Sequence, residues 1–465
     1  SVAAIVFGDG SQSRLYPLTK RRSEGAIPIA GNYRLIDAVV SNCFNSNITK
    51  IYALTQFNST TLNSHLSRAY SGARLAKEGF VEVIAAYQSL EDKGWFQGTA
   101  DAVRRCLWLL EEYPVIEFLV LPGHHLYKMD YQNLIEAHRI KKADISVAVL
   151  SSMRHHDPGF GSFKVNSENE VTEYRETPGT DPAKSASVSF FSIPFLFDVV
   201  RSSSVMFNDV ADHKYLDSMG IYVISRDAMI KLLREYFPKA IDLTTQVIPG
   251  AIALGMKICA FQFDGYWEDM RSIEAFYNAN LESTRKSKMT YNSFYDRDSP
   301  VYTLPRFLPP TSITDAVITD CVIGDGCILN RCNIKGTVFG MRTRVEDGAI
   351  IEDSVIMGSD IYQSRILALI VHGSKHPLIK STSHASACVQ QTEDERKSMG
   401  IPIGIGEGSR IRKAIVDKNA RIGKNVMIIN NDSVQEGNNE ANGYIITAGI
   451  VVILRSAVIP DGSIL

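Results

Sequence analysis

VITDCVIGDGCILNRCNIKGTVFGMRTRVEDGAIIEDSVIM, residues 317–357, sets the architecture of the C-terminal third of the chain. An apolar residue returns every six positions, at Val317/Ile323/Leu329 and again at Phe339/Val345/Ile351/Met357, with Gly and Asp in the intervals. The same step resumes at Val416/Ile422/Ile428 and at Ile453/Ile459/Leu465. One inward apolar side chain per six residues is the pattern of a hexapeptide β-helix, in which each step lays down one face of a triangular coil. Residues 313–465 are therefore expected to form such a solenoid, suited to assembly and regulation and carrying no catalysis.

Just upstream, residues 286–312 carry Pro300, Pro305, Pro309 and Pro310, which cannot sustain a helix or a central strand, so a linker is expected there. Before it, in residues 1–285, the apolar runs 2–7, 51–54, 118–121 and 145–150 alternate with amphipathic stretches. The clearest of these runs from Gly98 to Glu112, with Ala102, Cys106 and Leu109/Leu110 on one face and Thr99 placed to cap its start. Repeated strand, helix, strand predicts a mostly parallel sheet covered on both faces. Ligands bind such sheets at the C-terminal ends of the strands, here the loops opening at Gly8, Gln56 and Gly123.

The 465 residues, 45% of them hydrophobic and 22% charged, describe a globular protein of at least two domains. A net charge of -2 offers no basic excess for a nucleic-acid backbone, and no apolar run reaches the roughly 20 residues of a membrane span. The seven cysteines (43, 106, 259, 321, 327, 332 and 388) lack CxxC pairing and are expected to be reduced core thiols without structural zinc. The sequence begins at Ser1 directly on a strand-like run, so it presents no transit peptide and names no compartment by itself.

Residues 6–19, VFGDGSQSRLYPLT, place a Gly-rich turn and an Arg after the first strand, where backbone N–H groups can cradle phosphates. Further along stand NYRLIDAVVSNC (32–43), LTQFNSTTLNSHLSRAY (54–70), WFQGTADAV (95–103), HHLYKMDY (124–131), SMGIYVIS (218–225) and GYWEDMRSIEAFYNANL (265–281). IRKAIVDKNARIGKNVMIIN (411–430) and AVIPDGSIL (457–465) follow in the solenoid. Together these resemble ADP-glucose pyrophosphorylase (glucose-1-phosphate adenylyltransferase) of the plant small-subunit type. The resemblance implies an α/β, Rossmann-like nucleotidyltransferase domain followed by a left-handed hexapeptide β-helix. It implies transfer of AMP from Mg-ATP to glucose 1-phosphate with release of pyrophosphate, as the committed step towards starch. It also implies a plastid (chloroplast) stroma location, a heterotetramer with a large subunit or self-association, and an anionic sugar-phosphate effector.

In-line attack on an α-phosphorus requires a metal and cations to neutralise the triphosphate. The resemblance places nucleotide contacts at Gly8, Gly10, Gln88, Gln97 and Gly98, and sugar-phosphate contacts at Gly161, Glu176, Thr177 and Ser218. Arg14 is kept, but the family's GGGAGTR reads GDGSQSR, so Asp9 and Gln12 stand at glycine positions beside the phosphates. The family's RAKPAVP reads RSEGAIP, which turns the phosphate-facing Lys into Glu24. One unit charge pair at about 4 Å is worth about 4 kcal/mol at an effective dielectric near 20, so that reversal predicts a loss of several decades in rate. The GDH metal motif reads GHH, so one of two Mg2+-binding Asp residues is His124, while Asp269 is retained. Mg2+ prefers carboxylate oxygen, and imidazole suits zinc, copper or nickel. His124 as a zinc ligand, however, would need partners that the neighbouring sequence does not offer. The sugar-phosphate Lys of EKPKG is Thr177.

Lys418 and Arg455 match effector-binding cations, and Gln88 and Trp95 match positions that couple effector to catalysis. The expectation is a catalytically inactive or very weak homologue acting as a modulatory small subunit, with ATP and glucose 1-phosphate as weak ligands. A slow adenylyltransferase and a decaying gene product without function are the alternatives; a hexapeptide acyltransferase would leave residues 1–285 without a purpose. Two segments, roughly 181–214 and 363–391, lack the pattern of their domains and read as atypical inserts or translated intron.

Overall fold

The computed structural model describes residues 1–8, 14–70, 79–86, 94–151, 160–176, 214–285, 294, 296–363 and 400–465. Gly10, Gln88 and Thr177 lie outside the described residues, as do Asp9, Gln12, Cys388 and nearly all of the two atypical segments.

The N-terminal core is a nine-stranded sheet. Strands β1 (Val2–Phe7), β2 (Lys50–Thr55), β3 (Phe80–Ala85) and β4 (Glu117–Pro122) pair in parallel, in the order β4-β1-β2-β3. A short strand β5 (His125–Tyr127) branches off after β4. β6 (Ile145–Ser151) reaches the sheet through β9 (Lys214–Ser225), a long strand that runs antiparallel to β4, β6 and β7 (Ser162–Val165). β8 (Val171–Arg175) forms one edge, and β10 (Ile258–Gln262) pairs with β6 in parallel. Ala3, Ile5 and their neighbours alternate with Ala4 and Val6 into two separate cores, one on each face, because successive strand side chains point to opposite sides.

Helices cover both faces. α1 (Leu35–Asn45) packs on one, and α2 (Thr99–Leu110) turns Ala102, Cys106 and Leu110 into the other. Thr99 does not act as the cap expected of it. Its hydroxyl donates to the Asp242 carboxylate at 2.9 Å and accepts from the Leu243 N–H, while the Ile241 carbonyl takes the N–H groups of Ala100 and Asp101. The first-turn donors are thus satisfied by a distant loop, which local sequence does not reveal.

The C-terminal domain is a parallel solenoid with three sheet faces. Registers such as Ile313↔Leu329 and Ile334↔Ile351 stack like on like along its axis. The strict six-residue period is corrected in detail. Val317 is 63% exposed and Ile318 packs towards the core instead, and the inward set runs through Leu329, Ile334, Phe339, Val345, Ile351 and Ile356. Some corners are one residue shorter, so five-residue steps are mixed with six-residue ones. Met357 faces the N-terminal domain, where it joins Leu15, Leu18, Leu35 and Phe276 in a core shared by both domains.

That shared core fixes the joint. The Tyr277 hydroxyl, on helix α3 (Ile273–Glu282), donates to the Asp353 carbonyl at 2.6 Å. Arg22, 3% exposed, forms a buried ion pair with Asp417 across the same joint. The Pro-rich stretch is bound down as well: the Ser41 hydroxyl accepts from the Tyr302 N–H, and the Thr303 hydroxyl donates to Asp37. Of the described cysteines, all are free thiols, five of them buried.

Candidate functional site

The site is built where β1 and β4 end side by side. Gly8 follows β1 and Gly123 follows β4, and a Cβ on Gly123 would lie 2.3 Å from the Phe7 carbonyl oxygen, so only glycine lets the two strand ends approach. The Gly25 N–H donates to the Gly8 carbonyl at 3.1 Å, which draws the short turn Glu24–Ala26 against the end of β1. β5 pairs antiparallel with β11 (Trp267–Asp269), with Asp269 opposite His125. Main-chain pairing of segments far apart in sequence therefore brings Glu24, His124, His125 and Asp269 together.

The geometry is a chain of alternating groups. His124 Nδ1 stands 3.7 Å from a Glu24 carboxylate oxygen, and His124 Nε2 stands 3.8 Å from an Asp269 oxygen. Asp269 in turn is clamped by Arg271, whose Nε and Nη2 donate at 2.8 and 2.6 Å and whose backbone N–H donates at 3.1 Å. The Arg271 guanidinium lies over the Phe160 ring, 4.6 Å from its centroid. Phe160 also contacts both histidines, and a Cβ on Gly220 would meet it at 2.9 Å.

Glu24 is 2% exposed and set against His124. His124 and His125 are 4% and 0% exposed, and none of their four ring nitrogens makes a hydrogen bond among the described residues. Burial holds the His124 imidazole below its ordinary pKa, against the opposing pull of Glu24 and Asp269, and holds His125 well below. Leaving a buried polar group unsatisfied costs about 1–3 kcal/mol, so these ring nitrogens are costly where they stand without a partner among the described residues. Strand pairing sets Asp269 beside His124 and the adjacent His125. Ligand atoms of His124, His125 and Asp269 all lie within 4.8 Å of one another.

As a Mg2+ site this set fits poorly. Mg2+ requires near-octahedral oxygen and keeps its waters, whereas here two imidazoles and one carboxylate converge, and that carboxylate already receives a guanidinium.

Arg14 is exposed and anchored by its N–H to the Arg271 carbonyl at 2.9 Å, so it borders the same site. Gln97 and Gly98 lead into α2; the Gln97 N–H donates to Asp101 at 3.0 Å, and a Cβ on Gly98 would sit 2.6 Å from the Ile241 carbonyl. Gly161 and Ser218 are direct neighbours, the Ser218 N–H donating to the Gly161 carbonyl at 2.9 Å. Gly161 has φ +70, and Glu176 is exposed at the end of the adjoining β8. Lys418 and Arg455 converge on one carboxylate: Asp360 accepts from Lys418 Nζ at 2.6 Å and from Arg455 Nη2 at 3.0 Å. Burial pushes the Lys418 ammonium down to about 8, while Lys418, Asn419 and Arg455 hold Asp360 far below the usual carboxylate range against its own burial. Arg455 also lines a cleft of about 90 Å³ with Pro17, Lys20, Arg21 and Asp417 at the domain joint. Phe160 and Arg271 escaped the sequence reading, because their roles arise only from the approach of loops on β4, β7 and β11.

The α/β sheet with the Glu24–His124–Asp269 row at its strand ends, joined to a parallel β-helix, has the two-domain architecture expected of a nucleotidyltransferase followed by a β-helix. Residues 3–286 match the family model for nucleotidyl transferase, and residues 306–384 and 378–464 match that for the GLGC left-handed parallel beta-helix domain. Across its whole length the chain is 58% identical to the inactive glucose-1-phosphate adenylyltransferase small subunit 2, chloroplastic, of Arabidopsis thaliana, covering 89% of that protein. It is 47% identical, again over its whole length, to the glucose-1-phosphate adenylyltransferase small subunit, chloroplastic/amyloplastic, of Triticum aestivum, covering 91% of it. The chain belongs to the nucleotidyl transferase family and, within it, is a homologue of the plant small subunits of glucose-1-phosphate adenylyltransferase.

Proposed function

We propose that this chain is a non-catalytic small subunit of the ADP-glucose pyrophosphorylase type. It would work in the plastid, assembled with a large subunit whose activity or effector response it modulates. The observation that carries the reading is the metal corner, where the Glu24–His124 pair and the Arg271 clamp on Asp269 leave no carboxylate pair for Mg2+. A triphosphate arriving there meets a buried carboxylate where charge neutralisation is needed. A shortfall of even one such charge interaction, about 4 kcal/mol at an effective dielectric near 20, amounts to about a thousandfold in rate. The regulatory end retains its cations, with Lys418 and Arg455 gathered on Asp360 beside the joint, which suits an effector-responsive partner rather than an enzyme.

The direct test is pyrophosphate release from Mg-ATP and glucose 1-phosphate, by the purified chain alone and after mixing with a large subunit. No release alone, together with co-purification and a changed effector response of the mixture, is the expected outcome. Turnover by the chain alone at rates typical of enzymes, or failure to associate with any large subunit, would overturn it.

A further inference from the structure

Two fully enclosed imidazoles and a carboxylate form the one cluster among the described residues able to hold a metal ion by three ligands. Each neutral imidazole has one nitrogen lone pair to give, and neither finds a hydrogen-bond donor. We propose that His124, His125 and Asp269 bind a borderline divalent transition ion of the Zn2+ kind at the position where relatives with two carboxylates would hold Mg2+.

The arrangement around His124 favours this. With Nε2 facing Asp269, Nδ1 faces Glu24 at 3.7 Å, so the carboxylate, imidazole and ion fall in the order of an outer carboxylate behind a ligating histidine, and a closing of under about 1 Å would make the hydrogen bond that fixes the tautomer. Glu24 and His124, two separate departures from the resembled motifs, then act as one unit, the first orienting the second. His125 is held edge-on between Trp267 and Phe160, with ring centroids at 4.9 and 5.3 Å, which limits its rotation. Zinc takes nitrogen at about 2.0–2.1 Å and oxygen at about 2.0–2.2 Å in a tetrahedron, whose ligand atoms stand about 3.3 Å apart, so atoms lying within 4.8 Å of one another must close by up to about 1.5 Å on binding. Three protein ligands leave a fourth position open. Arg271 competes for Asp269, which sets the affinity below that of a closed structural site.

Ion binding at this cluster is independent of catalysis and can be measured without substrate. The full chain, stripped with chelator, is titrated with Co2+ and followed by visible absorption, and with Zn2+ by calorimetry. The expected result is one ion per chain with the d–d bands of low-coordinate Co2+, no thiolate charge-transfer band, and no displacement by millimolar Mg2+. His124→Ala and Asp269→Asn should abolish the signal, with folding checked by circular dichroism. Glu24→Gln keeps all three ligands and should weaken binding about 10–100-fold, as loss of an outer partner does. Failure to bind either ion at micromolar concentration, a thiolate spectrum, or binding unchanged in both His124→Ala and Glu24→Gln would overturn the proposal. Should His124→Ala not fold, the Co2+ spectrum of the native chain and the Glu24→Gln shift decide it.

Discussion

Substituting Glu24→Lys and His124→Asp, first singly and then together, asks whether these two positions form one electrostatic unit. His124 stands 3.7 Å from Glu24 and 3.8 Å from Asp269, all three with side chains 15% exposed or less. His124→Asp alone would gather three carboxylates at those separations, and each like pair at about 4 Å costs up to about 4 kcal/mol at an effective dielectric near 20. Arg271 and entering water relieve part of this, so a net loss of about 2–4 kcal/mol is expected. Glu24→Lys alone buries an ammonium beside a neutral imidazole with no nearer anion, and should cost a similar amount. In the double variant a lysine at 24 faces the new carboxylate at 124, with Asp269 beyond it, and most of both penalties should vanish. The coupling energy is therefore expected to exceed about 2 kcal/mol, well above the about 0.5 kcal/mol within which independent sites add. Urea denaturation measures it, and all three tryptophans, Trp95, Trp108 and Trp267, lie in the N-terminal domain, so their fluorescence reports that domain's unfolding. Additivity within about 0.5 kcal/mol would refute the pairing of Glu24 with His124.

Other outcomes follow from the same structure. Asp417→Asn should cost about 3–5 kcal/mol by stranding the buried Arg22 guanidinium, whereas Arg22→Met with Asp417→Leu should recover most of that loss, as read by thermal melting. Gly123→Ala should leave little soluble protein, or a domain weakened by about 3 kcal/mol or more in urea, since its methyl would overlap the Phe7 carbonyl. Because burial brings Lys418 down to about 8 in the folded chain, the ammonium is lost as pH rises through that value. Inorganic phosphate, as an effector probe, should therefore bind more weakly at pH 9 than at pH 7 by calorimetry, and Lys418→Arg should flatten that dependence. The stability linkage has the opposite sense. A lysine depressed by burial binds fewer protons folded than unfolded between about 8 and its ordinary 10.5, so this group's contribution to stability rises with pH across that window.

Much was legible in one dimension. The apolar runs at 2–7, 51–54, 118–121 and 145–150 mark the central strands because a strand buried on both faces must be apolar throughout. The recurring aliphatics of 317–357 announce a solenoid because every coil repeats the same burial problem. Charge changes at positions 24 and 124 were visible as departures from a motif, and the retained Asp269 and Lys418 could be read in the same way. Local geometry was less accessible: Val317 and Thr99 take roles other than those expected, since a shortened corner and a distant loop decide which way each side chain is used.

What tertiary structure alone decided is the meaning of those departures. In sequence, Glu24 is an anion set against a triphosphate and His124 a lone imidazole with no partners. Folded, the pairing of β5 with β11 and the docking of the 24–26 turn under Gly8 join them to each other and to Asp269, with Arg271 closing the row. Sequence fixes the kind of charge each residue brings, because that is a covalent property. Which charge meets which depends on strand register and on close backbone approach at glycine, and these exist only once segments a hundred and more residues apart have packed together.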